Sequence, residues 1–443
     1  MKVTFGSLKK YVSVNLAGDN RKDTLKGALA LIKADNFDLD SRFIIYQVLK
    51  KYAPADYLEN YLKITVQLAV QAGHPASALA FIHICKIEFD KVDSLFEFMA
   101  DYYNKTSERI SQHGSRVAPL AENSPVDSPP EGVMEAKDLI LEIYNQAVST
   151  KNWNELPANV MPMPLLSDLD KQSFLKVARE LSLHLIKPDT MIIREGEIGE
   201  SFYILAKGKV SVFTIDTRGV EKHLANLRQG SIFGEMALVQ RMPRSASVKS
   251  EEECAILEFT ADNLANMSDA LPLVAEALDK FTRNRLLKNL LNQAPIFKPF
   301  SKKQRKDLLS HFKAYVVETD TVIVKEGNEG AGLYLILSGE VDVIKNHSGK
   351  EQIKLATLSS ADSFGEISLI KNKLTTASVV ATSRTTLFFL AKHYFVRLTE
   401  NVPELEEYFK KLGDERLSAT NLLVSQNSNL ESNEEEDDEI ILI

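Results

Sequence analysis

The sequence is short of cysteine and of long apolar runs, and it carries no basic excess. Its 443 residues include two cysteines, Cys85 and Cys254, and neither belongs to a CxxC pair. A disulfide framework or a metal cluster is therefore not expected, and both thiols read as buried and reduced. No stretch reaches the roughly 18 consecutive apolar residues of a membrane-spanning helix. The opening MKVTFGSLKKYVSVNL has no continuous apolar core, so a signal peptide is not expected either, and the expected location is the cytoplasm. Lys and Arg number 53 against 61 Asp and Glu, a formal charge of −8, which argues against a protein dominated by nucleic-acid contacts. What the chain does have is 44% hydrophobic residues, enough for buried cores, and length for two to four domains at about 100–200 residues each.

The first third reads as helix. In TLKGALALIKA (24–34), Leu25, Ala28, Leu29 and Ile32 form a helical stripe. The pattern recurs at 40–52, 55–72, 74–87 and 91–105, with Gly73 and Pro75 as stop and start signals. Helices joined by short turns predict a stack of helical hairpins. The stack resembles a tetratricopeptide-like array, without matching that motif well; a partner-binding concave face and a plain bundle both remain open. His83 and Cys85 stand two apart on one helix and face different ways, so no metal site is expected there. Residues 108–134 hold four prolines among Ser, Gly and Asn and read as a flexible linker, followed by a short helix at 135–148.

From residue 164 glycine punctuates short alternating runs, the signature of strands and hairpins. The chain then repeats itself. PLLSDL at 164 returns as PIFKPF at 295, IIREGEIGESFYILAKGKVSVF at 192 as IVKEGNEGAGLYLILSGEVDVI at 323, and FGEMAL at 233 as FGEISL at 364. The unbroken register of 131 residues predicts tandem copies of one small β-roll. Between them VAEALDKFTRNRLLKNLLNQ (274–293) reads as one amphipathic helix. The expected class is thus α+β multidomain: a helical-hairpin array, then two tandem β-rolls with flanking helices.

FGEMALVQRMPRSASV (233–248) carries the most specific chemistry. A ligand with one phosphate and a ribose needs backbone N–H donors, a fixed cation and an acceptor for a hydroxyl. Gly234 after Phe233 lets the backbone approach closely. The turn Glu235-Met236-Ala237-Leu238 can aim free amides at phosphate oxygens, with Ala237 too small to block them. Arg244 offers a forked guanidinium, and Glu235 can accept a 2′-hydroxyl proton. An ion pair between Glu235 and Arg244 in a ligand-free hairpin is the bland alternative. The stretch resembles the phosphate-binding cassette of the cyclic-nucleotide-binding domain family, and the resemblance extends over about residues 160–410. It implies that Glu235 holds the ribose 2′-hydroxyl, that Arg244 pairs with the phosphate, and that Gly234, Ala237, Ser245 and Ala246 line the same pocket. It implies cAMP or cGMP as ligand and no metal.

The second copy, FGEISLIKNKLTTASV, keeps Phe364, Gly365 and Glu366 but has Ser368 for Ala237, Leu374 for Pro243 and Thr375 for Arg244, with Thr376 next. Without the arginine the phosphate loses its fixed cation, and neither Lys371 nor Lys373 offers a fork. This site is expected to be degenerate: a ligand-free structural copy, or a binder of something else.

The expected division is 1–107 helical interaction domain, 108–134 linker, 135–273 first sensor domain, 274–293 hinge helix, 294–411 degenerate second domain and 412–443 acidic tail. In the tail, 424–439 is expected to be disordered, and the terminal IILI could add a strand to a partner's sheet. No helix-turn-helix, kinase motif set or Ser-His-Asp context is found, so neither DNA binding nor catalysis is expected. The domain order resembles a kinase regulatory subunit, yet the linker has no Arg-Arg-x-Ser/Ala inhibitory site, only GSRVAP. A nucleotide-responsive adaptor with an unknown protein partner, a constitutive scaffold, and a kinase inhibitor are the three readings the sequence leaves.

Overall fold

A computed structural model describes residues 2–215, 220–236, 243–267, 270–347 and 351–437. It divides into two compact units, Met1–Phe281 and Thr282–Ile443.

Unit one opens with strand β1 (Lys2–Thr4) and helix α1 (Phe5–Ala17). Thr4 caps this helix by accepting from the Ser7 amide, and Phe5, Leu8 and Val12 bury one face. The helices α2 (Arg21–Ala34), α3 (Leu39–Tyr52), α4 (Ala55–Gln71), α5 (Pro75–Phe89) and α6 (Asp93–Tyr103) follow the predicted stripes closely. Helix α1 went unread because its apolar positions are few and its charged positions many. The first third is helical, as expected; nothing in it reproduces a tetratricopeptide repeat motif.

The predicted flexible linker is corrected by the structure. It carries strands β2 (Ile110–Ser115) and β3 (Pro125–Asp127), and β3 pairs antiparallel with β1, Val3 opposite Val126. The Phe5 amide donates to the Ser124 carbonyl, Gly6 to Glu122 and Val117 to Ala72, at 2.8–2.9 Å. Proline removes a donor and stops helix, but its neighbours' amides and carbonyls still bond across to the array. The segment is a strap. Helix α7 (Ala136–Ala147) then packs on α2 and buries Leu139, Ile140 and Ile143, so the boundary expected at 135 falls inside this unit.

After α8 (Lys171–Glu180) come β4 (Ser182–Ile186), β5 (Met191–Ile193), β6 (Ser201–Lys207), β7 (Lys209–Ile215), β8 (Glu221–Arg228), β9 (Ile232–Phe233), β10 (Ser247–Ser250), β11 (Cys254–Thr260) and the short α9 (Ala261–Ala265). The strands form two antiparallel sheets, β4-β11-β6-β9 and β5-β10-β7-β8. Helix α5 is apolar all round and buried on all sides, because the sheet of β4, β6 and β11 lies against it. One core therefore runs from the helices into the β-roll, with Phe43 and Phe81 stacked 4.2 Å apart and Phe202 beside Phe259. Ser77 Oγ donates to the Ala206 carbonyl at 2.6 Å.

His83 adds a second tie. Its Nε2 lies 2.9 Å from the carbonyl oxygen of Ala178 on α8, which can only accept, so the neutral ring donates. Burial lowers its pKa to about 4. Between about pH 6.5 and 4 the unfolded chain binds a proton that the folded chain refuses, so this group's contribution to stability falls as pH falls through that window. Asp40, raised to about 6 by burial and by Asp38, works in the opposite sense. Urea unfolding of His83→Gln beside the unaltered chain cancels that background. The unaltered chain is expected to lose up to about 2–3 kcal/mol relative to the variant between pH 7 and pH 4; parallel curves would refute the assignment.

Helix α10 (Leu271–Gln293) begins in unit one and ends in unit two. Unit two continues with α11 (Lys302–Leu309), β12 (Lys313–Val317), β13 (Val322–Val324), β14 (Gly332–Ser338), β15 (Val341–His347), β16 (Glu351–Leu358), β17 (Ser363–Phe364), α12 (Glu366–Ile370), β18 (Ser378–Ala381), β19 (Thr385–Ala391), α13 (Lys392–Asn401) and α14 (Pro403–Asp437). Its sheets, β12-β19-β14-β17 and β13-β18-β15-β16, copy the first domain's order strand for strand. Ser182 and Lys313, Ser201 and Gly332, and Ser247 and Ser378 begin equivalent strands, each pair 131 residues apart. The backbone of 424–437, expected to be disordered, is the end of α14. The terminal IILI lies outside the described residues. No helix among the described residues is long and apolar enough to cross a membrane.

Candidate functional site

In the first copy, β9 hydrogen-bonds β6 so that Phe233 stands opposite Tyr203, their rings stacked at 5.3 Å. The strand ends at Gly234, whose φ of +81° turns the chain into Glu235 and Met236. Glu235 is 1% exposed. Ten residues on, the β-bridge between Pro243 and Ile198 and the paired backbone bonds Arg244 N to Glu197 O (2.8 Å) and Gly196 N to Arg244 O (2.9 Å) fix the start of the return strand. From that anchor the Arg244 side chain reaches back, and Nη1 donates to the Gly234 carbonyl at 2.5 Å. Its guanidinium stands 5.9 Å from the centre of the Tyr203 ring.

The structure thus brings Phe233, Gly234, Glu235 and Arg244 to one turn. Burial lowers the pKa of Arg244, and the nearby Tyr203, Glu235 and Glu258 oppose it. An arginine remains charged under such a shift, so the turn keeps a desolvated, oriented cation beside a buried carboxyl. Ser245 is exposed and Ala246 half-buried. Ala237 and Leu238 lie outside the described residues.

Gly234 is required twice. A Cβ there would sit 2.7 Å from Arg244 Nη1 and 3.2 Å from the Ser201 carbonyl, in a left-handed conformation. Gly230 shares the positive φ, at +87°, but a Cβ there meets nothing within 4 Å. Gly230→Ala is therefore expected to cost about 1–2 kcal/mol from backbone strain alone. Gly234→Ala is expected to cost more and to displace the guanidinium. Equal melting temperatures for the two variants would show that the turn tolerates the extra carbon.

The second copy has the same turn. Tyr334 stacks on Phe364 at 4.8 Å, Gly365 has φ +89°, and Glu366 is 1% exposed. Thr375 takes the place of the arginine. Its hydroxyl donates to the Lys325 carbonyl at 2.6 Å and accepts from the Asn328 amide at 3.1 Å, so it ties the neighbouring loop. Ser368 Oγ donates to the Gly365 carbonyl at 2.9 Å, and Thr376 is half-buried. Lys371 pairs with Asp414 at 2.6 Å and Lys373 is exposed; neither reaches the turn.

A different cation does. Arg416, on α14, places Nη1 2.6 Å from Glu366 Oε1 and 2.8 Å from the Ser363 carbonyl. Burial raises the Glu366 pKa, and the Arg416 charge opposes it. Sequence reading missed Arg416 because it lies 50 residues from its partner, in a stretch read as the acidic tail. The signal was present: continued past the β-rolls, the 131-residue register sets LPLVAEALDKFTRNR (271–285) against VPELEEYFKKLGDER (402–416), so Arg416 is the counterpart of Arg285 on α10.

Residues 183–270 and 316–401 each match the model of the cyclic nucleotide-binding domain. Among curated proteins, the chain is 28% identical over 253 residues to a cAMP-dependent protein kinase regulatory subunit of Schizosaccharomyces pombe, covering 54% of this chain and 58% of the relative. It is 30% identical over 218 residues to that of Pyricularia oryzae (47% and 53%) and 31% identical over 241 residues to that of Eremothecium gossypii (54% and 49%). The chain spans about half the length of these relatives. The duplicated β-rolls, their paired turns and these matches lead to one statement: the chain carries two cyclic nucleotide-binding domains in tandem.

Proposed function

We propose that the chain is a non-catalytic regulator in which the first β-roll domain binds cAMP, or cGMP, and thereby alters how the helical region or the second domain engages a protein partner. The observation that carries this reading is the convergence of Arg244 and Glu235, both buried, on the Gly234 turn. The phosphate would take the guanidinium, and the ribose hydroxyl would donate to the Glu235 carboxylate. The role of regulator follows from the similarity to kinase regulatory subunits, all of which carry that description.

The direct packing of α5 on the sheet of the first domain supports a coupling to the helical array. A ligand that prefers one arrangement of the β-roll would shift whatever that core transmits, by no more than its difference in affinity for the two arrangements. The relatives favour a protein kinase as the partner. The strap at 108–134 argues against simple inhibition by a substrate-like segment, since its backbone is engaged with the array and it holds no Arg-Arg-x-Ser/Ala site.

Titration of cAMP and cGMP into the intact chain tests the reading. Saturable binding of one of them, lost in Arg244→Ala, is the expected result. The absence of any saturable binding would leave a constitutive scaffold, and equal binding by the variant would move the site elsewhere.

A further inference from the structure

The cavity beside Glu366 has features that the loss of an arginine does not explain. Its walls are aliphatic, formed by Val324, Val343, Leu355, Leu358 and Val379, and α14 closes one side with Leu423. Its volume is about 140 Å³, close to the roughly 150 Å³ cavity that accepts benzene. The space suits one flat ring.

At the polar end, Glu366 Oε1 is paired with Arg416, but Oε2 is buried and has no hydrogen-bond partner among the described residues. A buried carboxylate oxygen without a donor is unfavourable, so this atom selects a ligand that donates an O–H or N–H. The charges select too. Glu366 and Arg416 neutralise one another, Thr375 is bonded to its own loop, and Lys371 is turned to Asp414. An anionic ligand would meet a carboxylate and no uncommitted guanidinium fork among the described residues that line the cavity.

We propose that the second domain binds an uncharged, hydroxylated ring compound of the nucleoside class, with a sugar hydroxyl donating to Glu366 Oε2 and the ring held between the aliphatic wall and α14. Arg416 stays on Oε1 and keeps the carboxylate ionised, which strengthens the hydroxyl bond. The ligand is thus sorted from a phosphate-bearing one by the arginine that this copy lacks. The site is independent of the cyclic nucleotide proposed for the first domain.

The test uses the full chain carrying Arg244→Ala, which disables the first site. Adenosine and guanosine are titrated calorimetrically, each beside its 5′-monophosphate and its 3′,5′-cyclic monophosphate. At least one nucleoside is expected to bind saturably, with its phosphate-bearing forms at least tenfold weaker. Glu366→Leu is expected to abolish that binding, and Ala356→Phe, which fills the ring space while leaving the polar end intact, is expected to do the same. Thr375→Arg restores a fork and is expected to turn the preference towards the cyclic nucleotide. The proposal is overturned if neither nucleoside binds, if the phosphate-bearing forms bind equally well, or if Ala356→Phe leaves the affinity unchanged. Cyclic-nucleotide binding by the unaltered chain that vanishes in Arg244→Ala reports on the first domain alone, so the two readings can fail separately.

Discussion

Arg244→Ala is expected to weaken cyclic-nucleotide binding by at least about a hundredfold while leaving the fold intact. The guanidinium can make two charge-assisted bonds to one phosphate, each worth about 1.5–3 kcal/mol, and each 1.4 kcal/mol is a factor of ten. Pre-positioning enlarges the effect: the side chain is already held by the Gly234 carbonyl and the Tyr203 ring, so little rotamer freedom remains to be lost on binding. The fold survives because the bonds that anchor this residue, to Glu197 and from Gly196, are backbone bonds that alanine keeps. Arg244→Lys retains the charge without the fork and is expected to fall between the two. Calorimetric titration, with melting curves taken without ligand, checks both halves. A variant that binds as tightly as the unaltered chain would remove Arg244 from the site.

The second large effect concerns stability. Arg42→Ala is expected to cost about 3–5 kcal/mol, the range found when a buried charged group with several bonds is truncated. Arg42 is 0% exposed, and among the described residues no carboxylate pairs with it. Its Nε donates to the Asn36 carbonyl at 2.8 Å, Nη1 to Thr65 Oγ1 at 2.8 Å, and Nη2 to Asn36 Oδ1 at 2.7 Å and the Ala147 carbonyl at 2.9 Å. One guanidinium thus joins the end of α2, the side of α4 and the last turn of α7. Removing it leaves three elements with buried acceptors and no donor, each worth about 1–3 kcal/mol. Lys33→Ala, which breaks the exposed pair with Glu142 between α2 and α7, is the control and is expected to cost under about 1 kcal/mol. Urea unfolding of both variants checks the contrast; similar midpoints for the two would show that the array does not depend on the buried node.

Much of the molecule is legible in sequence because its signals are local or periodic. The helical stripes gave five of the array's helices, since burying one face of a helix requires a 3.6-residue pattern. The 131-residue register revealed the duplicated β-roll, and FGEMALVQRMPRSASV placed Glu235 and Arg244 on either side of a glycine turn. That turn needs a positive φ, which only glycine adopts at no steric cost, so the residue announces the geometry.

What the sequence could not determine rests on contacts between distant segments, where the chemistry of one residue is set by another far along the chain. The strap at 108–134 reads as a linker because its prolines forbid helix, yet its amides and carbonyls find partners on the array and on β1. Arg42 reads as a surface residue, because arginine is rarely buried; the carbonyls of Asn36 and Ala147 made it a core node. Thr375 by itself announced a lost cation. Only the tertiary structure brought Arg416 to Glu366 and left Oε2 without a donor, because pairing across 50 residues depends on how α14 lies over the β-roll.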